Sequence, residues 1–316
     1  MARFFGRVRV KSTIARDHGA HADAVARTLE PECVADDVDH RMDRIARATE
    51  AERGAGVPGV PLQVLLEEAL RVANRARAQI RRPLSTPARV SIAVTDTHGA
   101  LLGLVRGRDA PLFGTDVAVQ KARSVAFFSN SAAATDLAAT PDTQYLATGE
   151  AAAIADYLPA YRSFLEQPNA LADGAFAYGN RSLGNLARPY FPDGVVGSGE
   201  AGPLSKPIAS WSIFSTGLQL DLANSAIIKH VVFVLGGGSD VTPGSCTEMP
   251  LAPGAAQSRL GNGLQIFAGG VPIYRGSQHV GAIGISGDGV DQDDMIAFLG
   301  LHNAGLRLAG AIANAP

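Results

Sequence analysis

Apolar residues recur at three- and four-residue spacings from Leu62 onward. Leu62, Leu65, Leu66, Ala69, Ala73, Ala76 and Ile80 share one helical face, while Arg71, Arg75, Arg77 and Arg81 fall mainly on others. This predicts an amphipathic helix, closed by the Pro-Leu-Ser-Thr-Pro run at 83–87. Val90 to Val94 is an unbroken apolar run, as expected of a buried strand. Asp96-Thr97-His98-Gly99 has turn chemistry, and Ala100 to Arg106 reads as the returning strand, so the segment predicts a β-hairpin. A loop over 108–116 leads to a helix at 117–128, with Thr115 or Asp116 as its cap.

The middle of the chain is less regular. Residues 150–167 predict a helix interrupted at Pro159, and 176–207 is a long turn-rich stretch of the kind that is functional or inserted. Residues 218–238 read either as a helix running into a strand or as one apolar helix, and periodicity does not choose. Order returns near the end. A short strand in Leu264–Phe267, a Gly-Gly turn, a strand at Val271–Tyr274, a turn and a strand at His279–Ser286 precede a helix over 291–313. Its apolar face is expected on Met295, Phe298, Leu299, Leu306 and Ala309.

Asp288, Asp291, Asp293 and Asp294 crowd the point where strand gives way to helix. An EF-hand loop begun at Asp288 would need glycine at its sixth position and glutamate at its twelfth, and finds Asp293 and Leu299. The expectation is therefore helix capping, in which carboxylates accept the free N–H groups of a first turn.

Composition narrows the function classes. The chain has 316 residues, 46% hydrophobic and 18% charged, with a net charge of −2, which fits a globular protein and offers no broad nucleic-acid surface. No apolar run is long enough for a membrane-spanning helix, and the N-terminus lacks the apolar core of a signal peptide. A cytoplasmic protein is the default expectation, and an exported one if the chain derives from a longer precursor. Residues 1–61 read as a peripheral segment ending in a Gly/Pro linker at 54–61. His18, His21, Cys33 and His40 fit no standard zinc spacing, and Cys33 lies too far from Cys246 to form a CxxC site. The Gly-rich Leu235–Asp240 lacks the Gly-Lys-Ser/Thr of a phosphate loop, and no GxSxG elbow is present.

Two blocks together resemble a known family. They are VSIAVTDTHGALLGLVRGRDAPLFGTDVAVQKARSVAFF (90–128) and GGVPIYRGSQHVGAIGISGDGVDQDDMIAFLGL (269–301). Thr95–Gly99, Arg106–Pro111, Asp116–Ala122, Gly269–Ile273 and Val280–Gly287 are similar to the hairpin, loop, helix and strand motifs of the GlcG/HbpS-like haem-degrading domains, which include the C-terminal domain of PduO-type proteins. The resemblance implies an α/β (α+β), profilin-like fold, an antiparallel sheet of about five strands flanked by helices. It places a single domain at 62–313, split as 62–135 and 263–313 around an insertion at about 136–262. It also implies a haem or related tetrapyrrole ligand and a homo-oligomer.

A haem site needs an apolar slot, an axial ligand and cations for the propionates. His98 at the hairpin tip and His279 at the start of the last strand are the candidate axial ligands, with His279 favoured because it begins a strand. Each histidine has a plain reading as a turn or surface residue. Arg106, Asp109 and Lys121 match the family's charged positions. They serve either to anchor ligand carboxylates or to pair with one another between loop and helix. Gly281 and Gly284 admit a ligand or a tightly packed helix, the helix being the simpler reading. The leading function is a binding module for haem or a similar tetrapyrrole. The alternatives are an assembly protein that has lost the ligand and an enzyme acting on a small organic substrate.

Overall fold

Every residue of Ser91–Thr95 (β1) is buried, so this strand is covered on both faces and lies inside a sheet with helices on either side. It pairs antiparallel with Leu101–Arg106 (β2) on one side and with Gln278–Ser286 (β6) on the other. Gly270–Arg275 (β5) completes the order β2-β1-β6-β5. The computed structural model describes residues 61–193, 201–213, 216–239 and 245–316. The peripheral segment, the histidine–cysteine set before residue 41 and most of the linker lie outside them. Among the described residues the main sheet has four strands rather than about five, because Leu264–Phe267 runs in without forming a ladder. Residues Thr143–Gln144 (β3) and Ala151–Ala152 (β4) form a separate two-stranded sheet.

One sheet face is covered by Leu62–Arg75 (α1) and Val290–Arg307 (α7). Leu65, Ala69 and Ala73 meet Ile296, Ala297, Leu301 and Ala304 over the inward side chains Ile92, Val94, Ile273, Ile283 and Ile285. A side chain on Gly300 would stand 2.7 Å from the Ala69 backbone, so the two helices touch through small residues. That contact sets which face of α7 is buried. The expected face is displaced: Phe298, Leu299 and Leu306 are exposed, and the residues beside Gly300 are inside. α1 is also shorter than its apolar pattern. At Ala76 the backbone becomes extended, since 76–78 pairs with 86–88, and Ile80 is left in solvent.

Phe113–Phe128 (α2) covers the opposite face. It packs closely because β6 presents Gly284 to it: an added Cβ there would collide with the Ala118 carbonyl. Beyond α2 lies a second hydrophobic core, built on Phe127 and Phe128 and on Leu137, Ile154, Tyr161, Tyr178, Leu183, Leu222 and Leu264. Its helices are Ala133–Ala138 (α3), Tyr157–Leu165 (α4), Asn180–Leu186 (α5) and Leu218–Val234 (α6). Pro159 sits in the first turn of α4, where its missing N–H costs nothing, so it starts this helix instead of breaking one. α6 resolves the ambiguity of 218–238 in favour of one helix, and α5 is a helix inside the stretch expected to be irregular.

The four aspartates do three different things. No side chain caps α7 at Gly289. Asp288 Oδ1 instead accepts N–H groups from Gln79 (2.7 Å) and Ile80 (3.1 Å), tying the segment after α1 to the start of α7. Asp293 accepts the Asp288 N–H and binds Lys121, while Asp291 and Asp294 both hold Arg181. The carboxylates thus stitch distant segments together, which local spacing did not foretell. No helix among the described residues is long and apolar enough to cross a membrane.

Candidate functional site

The hairpin tip is set by its own sequence. Asp96 Oδ1 accepts the N–H groups of His98 and Ala100, each at 2.8 Å, which closes an Asx turn and fixes the backbone of His98. Four side chains from outside the hairpin then hold the tip. Asn130 Nδ2 donates to the Thr97 carbonyl (3.0 Å), and Arg259 Nε to the same oxygen (3.2 Å). Arg123 Nε donates to the Gly99 carbonyl (2.8 Å), as does Gln257 Nε2. Arg123 is itself oriented by Asn262 and Gln257, and Arg259 by a buried ion pair with Asp136 at 2.5 Å. The tip is therefore no loose turn. His98 is half-buried, with Nδ1 3.4 Å from the Thr97 hydroxyl.

His279 lies at the same end of the sheet, since Thr95 at the end of β1 aligns with Ala282. Its ring packs 5.3 Å from that of Tyr274 and its Nε2 is 3.0 Å from the Gly281 carbonyl oxygen. A carbonyl only accepts, so Nε2 carries the proton and Nδ1 the lone pair. Burial pushes the imidazole down to about 4, only partly offset by the Gly281 bond, and the ring is neutral at pH 7.

The turn that ends α2 reaches the His98 hairpin and Tyr274, whose ring packs on His279. Asn130 reaches the His98 hairpin from it, the Ser129 hydroxyl accepts the Tyr178 N–H at 3.0 Å, and the buried Tyr274 hydroxyl lies near Ser129. Gly174 packs on Ser129 and Ser131, bringing in the partly exposed Phe176, whose ring is 5.8 Å from that of Tyr178. The buried Thr95, Tyr161, Tyr178 and Tyr274 hydroxyls find no hydrogen-bond partner in good geometry among the described residues. The Tyr161 and Tyr178 phenols nevertheless lie close enough to perturb each other, and burial raises both.

The charged candidates lie elsewhere. Arg106 and Asp109 are exposed at the opposite end of the sheet, on the order of 15 Å away by strand rise. Arg106 donates to the Ala110 carbonyl and shapes the loop before α2, while Asp109 faces Arg108 at 3.6 Å. Lys121 is buried. Its ammonium donates to Asp293 Oδ2 (2.9 Å) and to the Ile285 carbonyl (2.8 Å), passing the end of the sheet to join α2 to α7. The structure thus brings His98 and His279 to one end and leaves Arg106, Asp109 and Lys121 away from it. The clamp residues Asn130, Gln257 and Arg259 carried no signal in the sequence, for their partners stand 33 to 162 positions away.

Another ionisable cluster lies beyond α2. Asp221 accepts the Tyr145 and Tyr157 hydroxyls, the latter at 2.7 Å, and pairs with Lys206 at 2.9 Å. Burial raises both phenols far above their ordinary range, with the Asp221 bonds adding to the effect, so neither is a base and the group locks α6 against β3. An open groove of 490 Å³ runs along α4 beside Leu158, Arg162 and Glu166 and contains neither candidate histidine.

A family model for the haem-degrading protein HbpS-like matches residues 64–177 and 222–302, more than half of the chain. The chain belongs to the HbpS-like family. The match runs further into the middle than the blocks 62–135 and 263–313 and leaves 178–221 between its two parts. Among solved structures, Klebsiella pneumoniae ORFY, which carries the family model DUF336, is 16% identical over 77% of this chain and 87% of that one, with a TM-score of 0.35. A PduOC–haem complex is 15% identical over 81% of this chain and 95% of that one, with a TM-score of 0.34. Both overlaps are too loose to equate individual side chains. No curated protein matches the chain.

The group this family implies can be tested against the donors present. An axial histidine needs a nitrogen clear of its own Cβ, which is Nε2. In His279 that atom is bonded to Gly281, and the remaining Nδ1 is crowded by the side chain's own stem. In His98 the ring contact, to the Thr97 hydroxyl, is made by Nδ1. The histidines present are compatible with a haem, His98 making its ring contact through Nδ1 and His279 through Nε2.

Proposed function

We propose that the protein binds haem or a related tetrapyrrole at the end of the sheet beside the α2 C-terminal turn, with His98 as the axial ligand. The observation that carries this is the clamped hairpin tip, whose backbone around His98 is held by six hydrogen bonds while the Thr97 hydroxyl engages the ring at Nδ1. Membership of the HbpS-like family supports the ligand class. A bound tetrapyrrole would supply the metal or macrocycle chemistry. The chain's part is to hold the hairpin that carries the imidazole and to offer the partly exposed Phe176 as aromatic surface. In this reading Lys121 and Arg106 hold the fold, and His279 keeps its bond to Gly281.

Haemin titration of the full chain tests the proposal. A saturable Soret shift is expected, which His98→Ala alters or abolishes and His279→Ala leaves in place. An unchanged spectrum in the His98 variant would remove that residue from the site. If haemin produces no saturable shift in the unmodified chain, the tetrapyrrole reading fails and the assembly protein replaces it.

A further inference from the structure

Two loops meet at the end of the sheet opposite His98. Residues 76–88 fold back on themselves, with Arg77 bridged to Pro87, and Asp288 ties Gln79 and Ile80 to the start of α7. Residues 107–112 run from β2 into α2. A side chain on Gly287 would meet the Arg89 carbonyl (2.5 Å) and Pro111 (3.2 Å), so the two loops touch there. Arg106 pairs with Ser91, which leaves Arg89 between them.

This end of the molecule is basic. The acids Asp109, Asp288 and Asp291 are each engaged by an arginine, Arg108 at 3.6 Å, Arg81 at 3.9 Å and Arg181 at 2.7 Å. Arg75, Arg77, Arg82, Arg89 and Arg106 make no ion pair among the described residues, and all but Arg89 are exposed. On a chain of net charge −2 this is a strong segregation of positive charge. The same loops expose large apolar side chains. Ile80, Leu84, Leu112 and Phe113 are between 55% and 65% exposed. Leu84 stands at the tip of a turn, in which the Thr86 N–H donates to the Pro83 carbonyl (3.2 Å) and Ser85 takes a φ of 72°.

We propose that this end of the molecule docks on a membrane surface of anionic phospholipid. Exposed apolar residues among unpaired cations suit the headgroup boundary, where the apolar tips enter the acyl edge and the arginines stay with the phosphates. A protein partner is disfavoured, because protein interfaces gather apolar residues in a core and keep charge at the rim. Here the two kinds are interleaved along each loop, Arg81 and Arg82 standing between Ile80 and Leu84. Nucleic acid is disfavoured because aliphatic side chains neither stack on bases nor bind phosphate. The surface lies a sheet length from the His98 site, on the order of 15 Å, and does not depend on it.

Flotation of the full chain with lipid vesicles tests the assignment. Binding is expected to phosphatidylcholine vesicles containing about 30% phosphatidylglycerol, should fall steeply with salt, and should be absent with phosphatidylcholine alone. Replacing Arg75, Arg77 and Arg82 together by Gln should weaken it about 100-fold, since each arginine near an anionic surface contributes about five-fold. Leu84→Ser with Phe113→Ser should weaken it roughly 10-fold or more. All five side chains are exposed, so circular dichroism of both variants should match the unmodified chain. No binding to the anionic vesicles, equal binding to neutral ones, or indifference to the glutamine variant overturns the proposal. So does indifference to the serine variant, and a duplex oligonucleotide bound as tightly as the vesicles would then assign the arginines to a soluble polyanion.

Discussion

Replacing Lys121 by Met keeps the apolar stem and removes the charge, which isolates the ion pair that crosses the end of the sheet. Lys121 and Asp293 are 2% and 3% exposed at their side chains, and the ammonium holds both the carboxylate and the Ile285 carbonyl. Its removal leaves a buried carboxylate without its cation and a carbonyl without its donor, and breaking such a pair from one side costs about 3–5 kcal/mol. The loss should depend on pH. Burial already raises Asp293 to about 6, with Lys121 pulling the other way, so without the lysine its carboxyl rises further. A folded carboxyl titrating above its unfolded value contributes stability that is full below the unfolded value and lost as pH rises through the folded one. The variant should therefore be weakest near pH 8 and recover towards pH 5, where Asp293 binds a proton. Denaturant unfolding of both chains at pH 5, 6.5 and 8 measures this, and Asp293→Asn added to the variant should restore part of the loss at pH 8. A loss below about 1 kcal/mol at pH 8, or one that does not shrink at pH 5, would refute the reasoning, since an exposed or unimportant pair behaves that way.

Two further outcomes are expected. Asp288→Ala should cost about 1–3 kcal/mol by orphaning the Gln79 and Ile80 N–H groups, with Asp288→Asn costing less because Oδ1 is kept; equal losses in the two variants would count against the hydrogen bonds. His279, depressed to about 4 from an ordinary 6.5, contributes stability that is present above pH 6.5 and lost as pH falls towards 4. His279→Gln should remove roughly 2–3 kcal/mol of that acid-side loss in unfolding curves at pH 4.5 and 7, and parallel pH profiles would contradict the assignment.

The sheet and its helices were readable because their signals are local. An unbroken run in Val90–Val94, turn chemistry at 96–99 and glycines facing a helix each act within a few residues. Boundaries and faces were misread where a distant contact decided them. α1 stops at Ala76 because 86–88 pairs with it, and α7 turns its Gly300 side inward because Ala69 lies there. The four aspartates looked like a cap because a cap is what spacing alone can suggest. Their true partners, Gln79, Lys121 and Arg181, stand more than a hundred residues away. The same holds for the histidines, whose positions in the chain were visible and whose free nitrogens were not. The carbonyl of Gly281, two positions on, engages His279 Nε2, a contact that strand position alone does not announce.

The segment between the two blocks bears directly on the proposed site. A hairpin tip with only an Asx turn to order it would let His98 swing, and a swinging ligand loses part of its binding energy to ordering. The groups that stop this motion come from two sources. Arg123 and Asn130 belong to α2 and the turn after it, within the first block, whereas Gln257 and Arg259 belong to residues 136–262. Arg259 is held in turn by Asp136 and, through the packing of Leu260 and Leu264, by the second core. The sheet thus delivers the histidine, while the layer beyond α2 restricts the hairpin that carries it. Residues 257–259 work as a brace for the hairpin, anchored at Asp136 and at the second core.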